Sequence, residues 1–263
     1  MGAQPGAEQN PITASAKAWS GPVVASVLAS LVLASFGFAA LVGVAGTEES
    51  VSADLGAGLG QAAHRTAEGE SATWDRWPIA YTALLQLPLW IGLLGPLLWA
   101  GRKQGKTFGD LVRWRFTPRD VLFGMATGIG LQLAVPLLYF LIFQLVGERD
   151  VGAPARELAS RANGPGILLL ILITVIGAPI IEEVFYRGFL QPLLHAWMPS
   201  WAAVGVASAV FAAFHFQALQ FPALFVFALV VGGWAIRLRG IGRSIWIHIG
   251  FNATSVVSIL LFV

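Results

Sequence analysis

An all-α, polytopic bundle of about seven transmembrane helices is the fold class expected of this chain, with its chemistry on the C-terminal four helices. Three observations point there. Hydrophobic residues fill 56% of the 263 positions and charged residues only 11%, against about 45–50% and about 25% in soluble domains. Mean hydropathy is +0.72. Seven apolar stretches come near the ~20 residues that a helix needs to cross a bilayer; they fall near 21–46, 77–100, 120–146, 166–190, 201–219, 221–239 and 244–263. Cysteine is absent, which excludes disulfides, thiolate nucleophiles and Cys-ligated zinc. A net charge of +2, with no basic patch interleaved with aromatics, gives no sign of nucleic acid as a partner, and none is expected.

Residues 1–19 are small, polar and Pro-containing, and read as a flexible cytoplasmic tail. The first apolar stretch is too long and too late for the core of a cleaved signal peptide, so it reads as a retained span. The unit 20–119 holds the N-terminal spans and a basic loop, 101–119, with Arg102, Lys103, Lys106, Arg113, Arg115 and Arg119. Lys and Arg mark cytoplasmic loops, which places this loop inside, together with the turn at 239–243 and its flanking Arg237, Arg239 and Arg243. The acidic loop 47–76 (Glu48, Glu49, Asp54, Glu68, Glu70, Asp75) then falls outside. Arg149, Arg156 and Arg161 also fall outside, against the rule, but Glu148, Asp150 and Glu157 accompany them. The expected protein is thus an integral, multi-pass protein of the cell (plasma) membrane, N-terminus cytoplasmic and C-terminus outside.

Within the spans, Pro88, Gly95-Pro96, Pro136, Gly177 and Pro179 are expected at kinks or close contacts. Gly124, Gly128 and Gly130 are expected to form one small-residue packing seam. Trp74, Trp77, Trp99, Trp197 and Trp201 lie near span ends and read as interfacial anchors.

The third unit, 120–263, carries the unusual charges. Glu182, Glu183 and Arg187 sit inside the apolar run that starts at Ile167. Each costs roughly 2.5–3.5 kcal/mol at the centre of a membrane helix, and the default reading of such residues is a functional site. Glu183 and Arg187 are four apart and can pair; Glu182 points about 100° away and stays free for chemistry. Phe211 with His215, and His248 with Asn252, share the same spacing. Glu182 lies 17 residues before Pro199 and His215 lies 16 after it, so on antiparallel helices both stand about 25 Å from the turn. His248, five residues after Arg243, lies about 8 Å from the cytoplasmic boundary. The three meet if the 188–200 end projects into the cytoplasm, and Gln191-Pro192 suits a bend or exit there. The site would then open towards the cytoplasm. A carboxylate beside an imidazole can deprotonate water and pass the proton to a leaving amine; a second His with an Asn can donate to an oxyanion. Ser208 and Ser244 belong to no nucleophile motif. His195, 13 residues past Glu182 and on nearly the opposite face, is expected to be dispensable, and His64 lies in the outer loop. Structural readings compete: a helix-locking ion pair for the charges, a core histidine for His215, and helix–helix hydrogen bonding for His248 and Asn252.

Glu182-Glu183-x-x-x-Arg187, Phe211-x-x-x-His215 and His248-x-x-x-Asn252, in consecutive spans, resemble the CPBP (CAAX protease and bacteriocin-processing, or Abi) intramembrane endopeptidases. That family includes the eukaryotic type II CAAX prenyl endopeptidase and lysostaphin-resistance-A-like proteins. The resemblance covers roughly 120–263, and Gly188-Phe189-Leu190 fits it as well. It implies Glu182 as general base on water, assisted by His215, with His248 and Asn252 stabilising the oxyanion and Glu183, Arg187 and Phe211 as supports. It also implies a membrane protein or lipidated peptide as substrate. No cofactor is required in the favoured reading. Zinc held by Glu182, His215 and His248 is the alternative, because the same residues could supply three ligands and leave a place for water. Two other function classes stand beside the enzyme: a catalytically silent scaffold or bacteriocin-immunity-type protein, and a proton-coupled transporter.

Overall fold

The structure, a computed structural model, describes residues 21–30, 32–33 and 79–262. The expected tail, the acidic loop and most of the first expected span, with His64, Trp74 and Trp77, lie outside the described residues. All regular structure among the described residues is helical. In chain order the helices are α1 (Gly21–Ser30), α2 (Ile79–Lys103), α3 (Phe108–Val112), α4 (Pro118–Val146) and α5 (Ala153–Ser160). There follow α6 (Pro165–His195), α7 (Ser200–Ala213), α8 (Phe221–Leu238) and α9 (Gly242–Phe262).

Five helices (α2, α4, α6, α8 and α9) are long and apolar enough to cross a membrane, and α1 and α7 are shorter apolar helices. The stretch expected to span over 201–219 divides into a 14-residue helix and a turn region. At about 1.5 Å per residue α7 rises only about 21 Å, less than the ~30 Å core. Phe216 adopts a left-handed φ of 53°, and Pro222 starts the next helix in its first turn, where a missing N–H costs nothing. The turn is held from outside: Tyr139 of α4 donates to the Leu219 carbonyl at 2.5 Å, and Gln220 donates to that of Val151 at 3.2 Å.

The basic loop is itself folded. Thr107 and Asp110 form a capping box on α3, an arrangement that satisfies backbone donors at a helix start. Val112 at its end is fully buried, and a Cβ placed on Gly188 of α6 would meet Val112 Cβ at 3.4 Å. Asp120 then accepts from the Thr117 backbone N–H at 2.9 Å and, through its other oxygen, from Arg243 Nε at 3.0 Å. This pair ties the start of α4 to the start of α9.

Those two helices run parallel and in close contact. A Cβ on Gly124 would sit 2.6 Å from Trp246 Cβ, and one on Gly128 would sit 2.1 Å from the Ile247 carbonyl oxygen. The seam stops there, because Gly130, expected to continue it, faces open space: it points away from α9. Gly128→Ala is therefore expected to lower stability by about 1–3 kcal/mol through forced separation of the helices, while Gly130→Ala leaves it unchanged. Thermal unfolding of both variants in detergent checks this, and equal midpoints would refute the seam. Trp99, Trp197 and Trp201 are all exposed near helix ends, as interfacial anchors should be.

Candidate active site

Helix α6 explains why the charges sit as they do. It is a continuous rod in which two π-helical stretches, Ile171–Gly177 and Val184–Leu190, flank the α-helical turn Ala178–Glu183. A proline inside a helix pushes on the carbonyl four residues earlier. For Pro179 and Pro192 those carbonyls belong to Val175 and Gly188, one in each π stretch. The widened turns make room for the rings. They also orphan one carbonyl each. Ala178 N–H bonds Ile173 O, and Pro179 has no N–H to offer the carbonyl of Thr174. Gln191 N–H likewise bonds Tyr186 O, and Pro192 has none for the carbonyl of Arg187. A buried carbonyl left unpaired is costly, and in both cases a side chain from another element serves it. Asn252 Nδ2 donates to Thr174 O at 2.7 Å, and Arg113 Nη2 donates to Arg187 O at 3.1 Å. Burial, and then the neighbouring Arg115 charge, hold the Arg113 pKa below its ordinary value.

Glu183 is the hub. Its side chain is 0% exposed and that of Arg187 1%. Glu183 Oε1 accepts from Arg187 Nη1 at 2.9 Å and from His248 Nδ1 at 3.0 Å. Arg187 Nη2 also donates to the Ala228 carbonyl at 3.3 Å, and its guanidinium carbon stands 4.8 Å from the Phe211 ring centroid, within cation–π range. The His248 ring is wedged between Phe227 at 4.8 Å and Phe211 at 5.8 Å, both edge-on.

Glu182 is different. Its side chain retains 23% exposure, and its Oε2 lies 3.9 Å from His248 Nε2. That oxygen is buried and accepts no hydrogen bond from any described residue. Glu183 Oε2 is likewise buried without a partner, so the two adjacent carboxylates differ in the rest of the group: Glu183 Oε1 holds the Arg187 and His248 donors, whereas Glu182 accepts no hydrogen bond from any described residue.

His215 lies just past the end of α7. Its Nδ1 contacts the Phe211 carbonyl at 2.8 Å and its ring stacks obliquely on Phe211 at 4.7 Å. Among the described residues no hydrogen bond or ion pair joins His215 to Glu182; Phe211 is the link between the two histidines. Acceptor chemistry assigns both tautomers. A carbonyl or an ionised carboxylate only accepts, so Nδ1 of each ring carries a proton. His215 Nε2 is then a free base in the neutral ring. His248 Nε2, facing Glu182, donates only when the ring is the imidazolium.

Six of the residues singled out from sequence, Glu182, Glu183, Arg187, Phe211, His215 and His248, therefore form one cluster. Asn252 stands apart with its amide nitrogen engaged by Thr174. His195 is exposed at the far end of α6 and contacts Ser200 Oγ at 3.3 Å. Ser244 Oγ donates to the Val231 carbonyl at 3.3 Å. Sequence reasoning takes Arg113 only as a loop charge and Gln191 only as part of a bend; Gln191 donates to the Gly232 carbonyl at 3.0 Å and joins α6 to α8. The signal for Arg113 was present in the sequence: a helix-interior proline five residues after a carbonyl asks for an outside donor. Among the described residues no three His, Cys, Asp or Glu side chains stand together as a group that could hold a metal ion. Both histidines have Nδ1 occupied.

Comparison with known proteins adds a family. Residues 164–254, from the start of α6 into α9, match the family model described as type II CAAX prenyl endopeptidase Rce1-like. No curated protein and no solved structure matches the chain. With its five apolar helices the chain is an integral membrane protein, and the matched segment holds Glu182, Glu183, Arg187, Phe211, His215, His248 and Asn252 together. Residues 164–254 are thus similar to Rce1-like type II CAAX prenyl endopeptidases, consistent with the CPBP family of membrane proteases.

Proposed function

We propose that the chain is an intramembrane endopeptidase that hydrolyses a peptide bond of a membrane-associated substrate, CAAX-like or otherwise, with water activated by Glu182. The observation that carries this reading is Glu182 itself: partly exposed where Glu183 is fully buried, without a hydrogen bond from any described residue, and with its Oε2 3.9 Å from His248 Nε2. Glu182 takes a proton from water, and the water oxygen adds to the carbonyl carbon of the peptide. The negative charge that develops on the carbonyl oxygen is met by His248 Nε2–H, with Asn252 as second donor. Substrate entry would have to draw the Asn252 amide away from Thr174 or use a shared geometry. The C–N bond then breaks as the proton passes to the leaving nitrogen, from Glu182 or through the free Nε2 of His215. Glu183 and Arg187 act on His248 rather than on substrate. The basic end of the bundle, with the starts of α4 and α9, faces the cytoplasm under the positive-inside rule, and the N-terminus lies on that side.

A quenched fluorescent peptide library and purified protein in nanodiscs test this. Glu182→Gln and His215→Ala are expected to abolish turnover, with losses of about 100-fold or more, the scale of a lost general base. His195→Ala should retain it, and a zinc chelator should have no effect. Chelator-sensitive turnover would transfer the role of Glu182 to a metal. Turnover that survives Glu182→Gln would refute the reading outright, and an unchanged cellular phenotype in that variant would favour the silent scaffold.

A further inference from the structure

At the start of α9 there is a second constellation. A cavity of about 620 Å³ lies where α4 and α9 begin and α8 ends, lined by Arg115, Thr117, Arg119, Asp120, Leu238 and Arg243. Its net charge is positive, three arginines against one carboxylate. Arg243 is paired with Asp120 at 3.0 Å, but Arg115 and Arg119 have no ion-pair partner among the described residues and both are exposed. Arg113 adds a further positive charge close enough to feel that of Arg115. The amino ends of α4, 29 residues long, and α9, 21 residues long, both start at this cavity, and helix amino ends favour anions. Arg243 is braced from below, its guanidinium carbon 4.8 Å from the Trp234 ring and 5.7 Å from the Phe123 ring.

The surface beneath the cavity is of the opposite character. Leu122 and Phe123, in the first turns of α4, are exposed, as are Leu133 and Leu137 further along the same helix. An anion alone would use the arginines and leave this face bare. An amphiphile uses both. We infer that this cavity binds the headgroup of an anionic phospholipid, its phosphate held by Arg115 and Arg119 and its acyl chains lying along the exposed apolar face of α4. Basic pockets between membrane helices on the positive side suit such headgroups. A bidentate guanidinium matches phosphate geometry better than a point charge. The segment that supplies Arg115 also supplies Arg113, which holds the Arg187 carbonyl, so the lipid site and the charged cluster share one stretch of backbone.

This inference does not rest on the endopeptidase reading, and lipid binding tests it alone. Native mass spectrometry of the full chain, released from detergent with equal phosphatidylglycerol and phosphatidylcholine, counts the retained lipid. The wild type is expected to prefer phosphatidylglycerol by roughly 10- to 30-fold, the scale of two arginines at a membrane surface. Arg115→Ala/Arg119→Ala should bring retention down to the phosphatidylcholine level. Arg102→Ala/Lys103→Ala, two exposed cations on the same side that do not line the cavity, should leave it unchanged. An added millimolar excess of inorganic phosphate should not displace the lipid. No phosphatidylglycerol preference in the wild type would overturn the inference, whatever the variants do. Equal loss in both double variants would reduce it to general surface charge, and displacement by phosphate would make the site one for free anions.

Discussion

Arg187→Met is expected to destabilise the protein by about 3–5 kcal/mol, the cost of breaking a buried ion pair from one side. Glu183 is 0% exposed, and without Arg187 its carboxylate keeps only the His248 Nδ1 donor at 3.0 Å. The Ala228 carbonyl loses its guanidinium and the Phe211 ring loses the cation over its face. Methionine fills the space and cannot supply a charge, so the penalty is electrostatic rather than a packing defect. Denaturant or thermal unfolding in detergent micelles measures it. A second comparison isolates the cause. In Arg187→Met/Glu183→Met the stranded carboxylate is gone too, so the double variant should be more stable than the two single losses add up to. Additive losses would mean that the pair is not coupled and that the buried charges are held by something else.

That pair was legible from spacing alone, because residues four apart on a helix share a face. So was the helical class, because a 56% hydrophobic chain with 11% charge has few other solutions. His248 meets the Glu182–Glu183 turn, whereas His215 contacts Phe211. Their detailed partners were not legible. Height along a hairpin places residues at a level but says nothing about which nitrogen meets which oxygen. The sequence reading gave Glu183 to Arg187 only, whereas the structure shares its Oε1 between Arg187 and His248.

The π stretches account for most of the remainder. A period of 3.6 residues assumes one hydrogen-bond pattern, and Pro179 and Pro192 break that pattern on either side of the glutamates. Pro192 was expected to mark a bend or exit, but α6 runs on through it to His195, since a widened turn can absorb the ring that a regular turn would reject. Such turns recur at functional sites, and here the carbonyls they release are bound by Asn252 and Arg113. The short α7 escaped notice for another reason. A hydropathy window counts Phe214, Phe216 and Leu219 as membrane residues, whereas the left-handed Phe216 ends the helical path. Local backbone conformation decided the boundary, and composition does not report it.

Glu183→Gln is expected to reduce peptide cleavage by about 100- to 10,000-fold while leaving Glu182 and both histidines in place, because it changes the proton on His248. In the native chain an acceptor-only carboxylate fixes Nδ1 as the donor. A glutamine amide has one accepting and one donating end. Arg187 can only donate, and it stands 2.9 Å from the same Oε1, so it claims the amide oxygen. The amide N–H₂ then turns towards His248, whose Nδ1 must accept, and the ring proton moves to Nε2. The neutral ring now faces Glu182 as a donor and no longer has a carboxylate behind it to stabilise an imidazolium. Catalysis falls through the lost charge: Nε2–H remains a donor, but a neutral ring with no carboxylate behind it stabilises the oxyanion less, with substrate binding untouched. The expected signature is a collapse of kcat with KM within about threefold of the wild-type value, measured on folded protein in nanodiscs. Glu183→Gln also uncouples Arg187, so unfolding is followed in parallel, and kcat is taken well below the melting temperature. An unchanged kcat would remove Glu183 from the catalytic apparatus and leave it as a structural anchor. Equal loss in Arg187→Met at matched folded fraction would show that the charge balance of the pair, rather than the carboxylate behind His248, controls the rate.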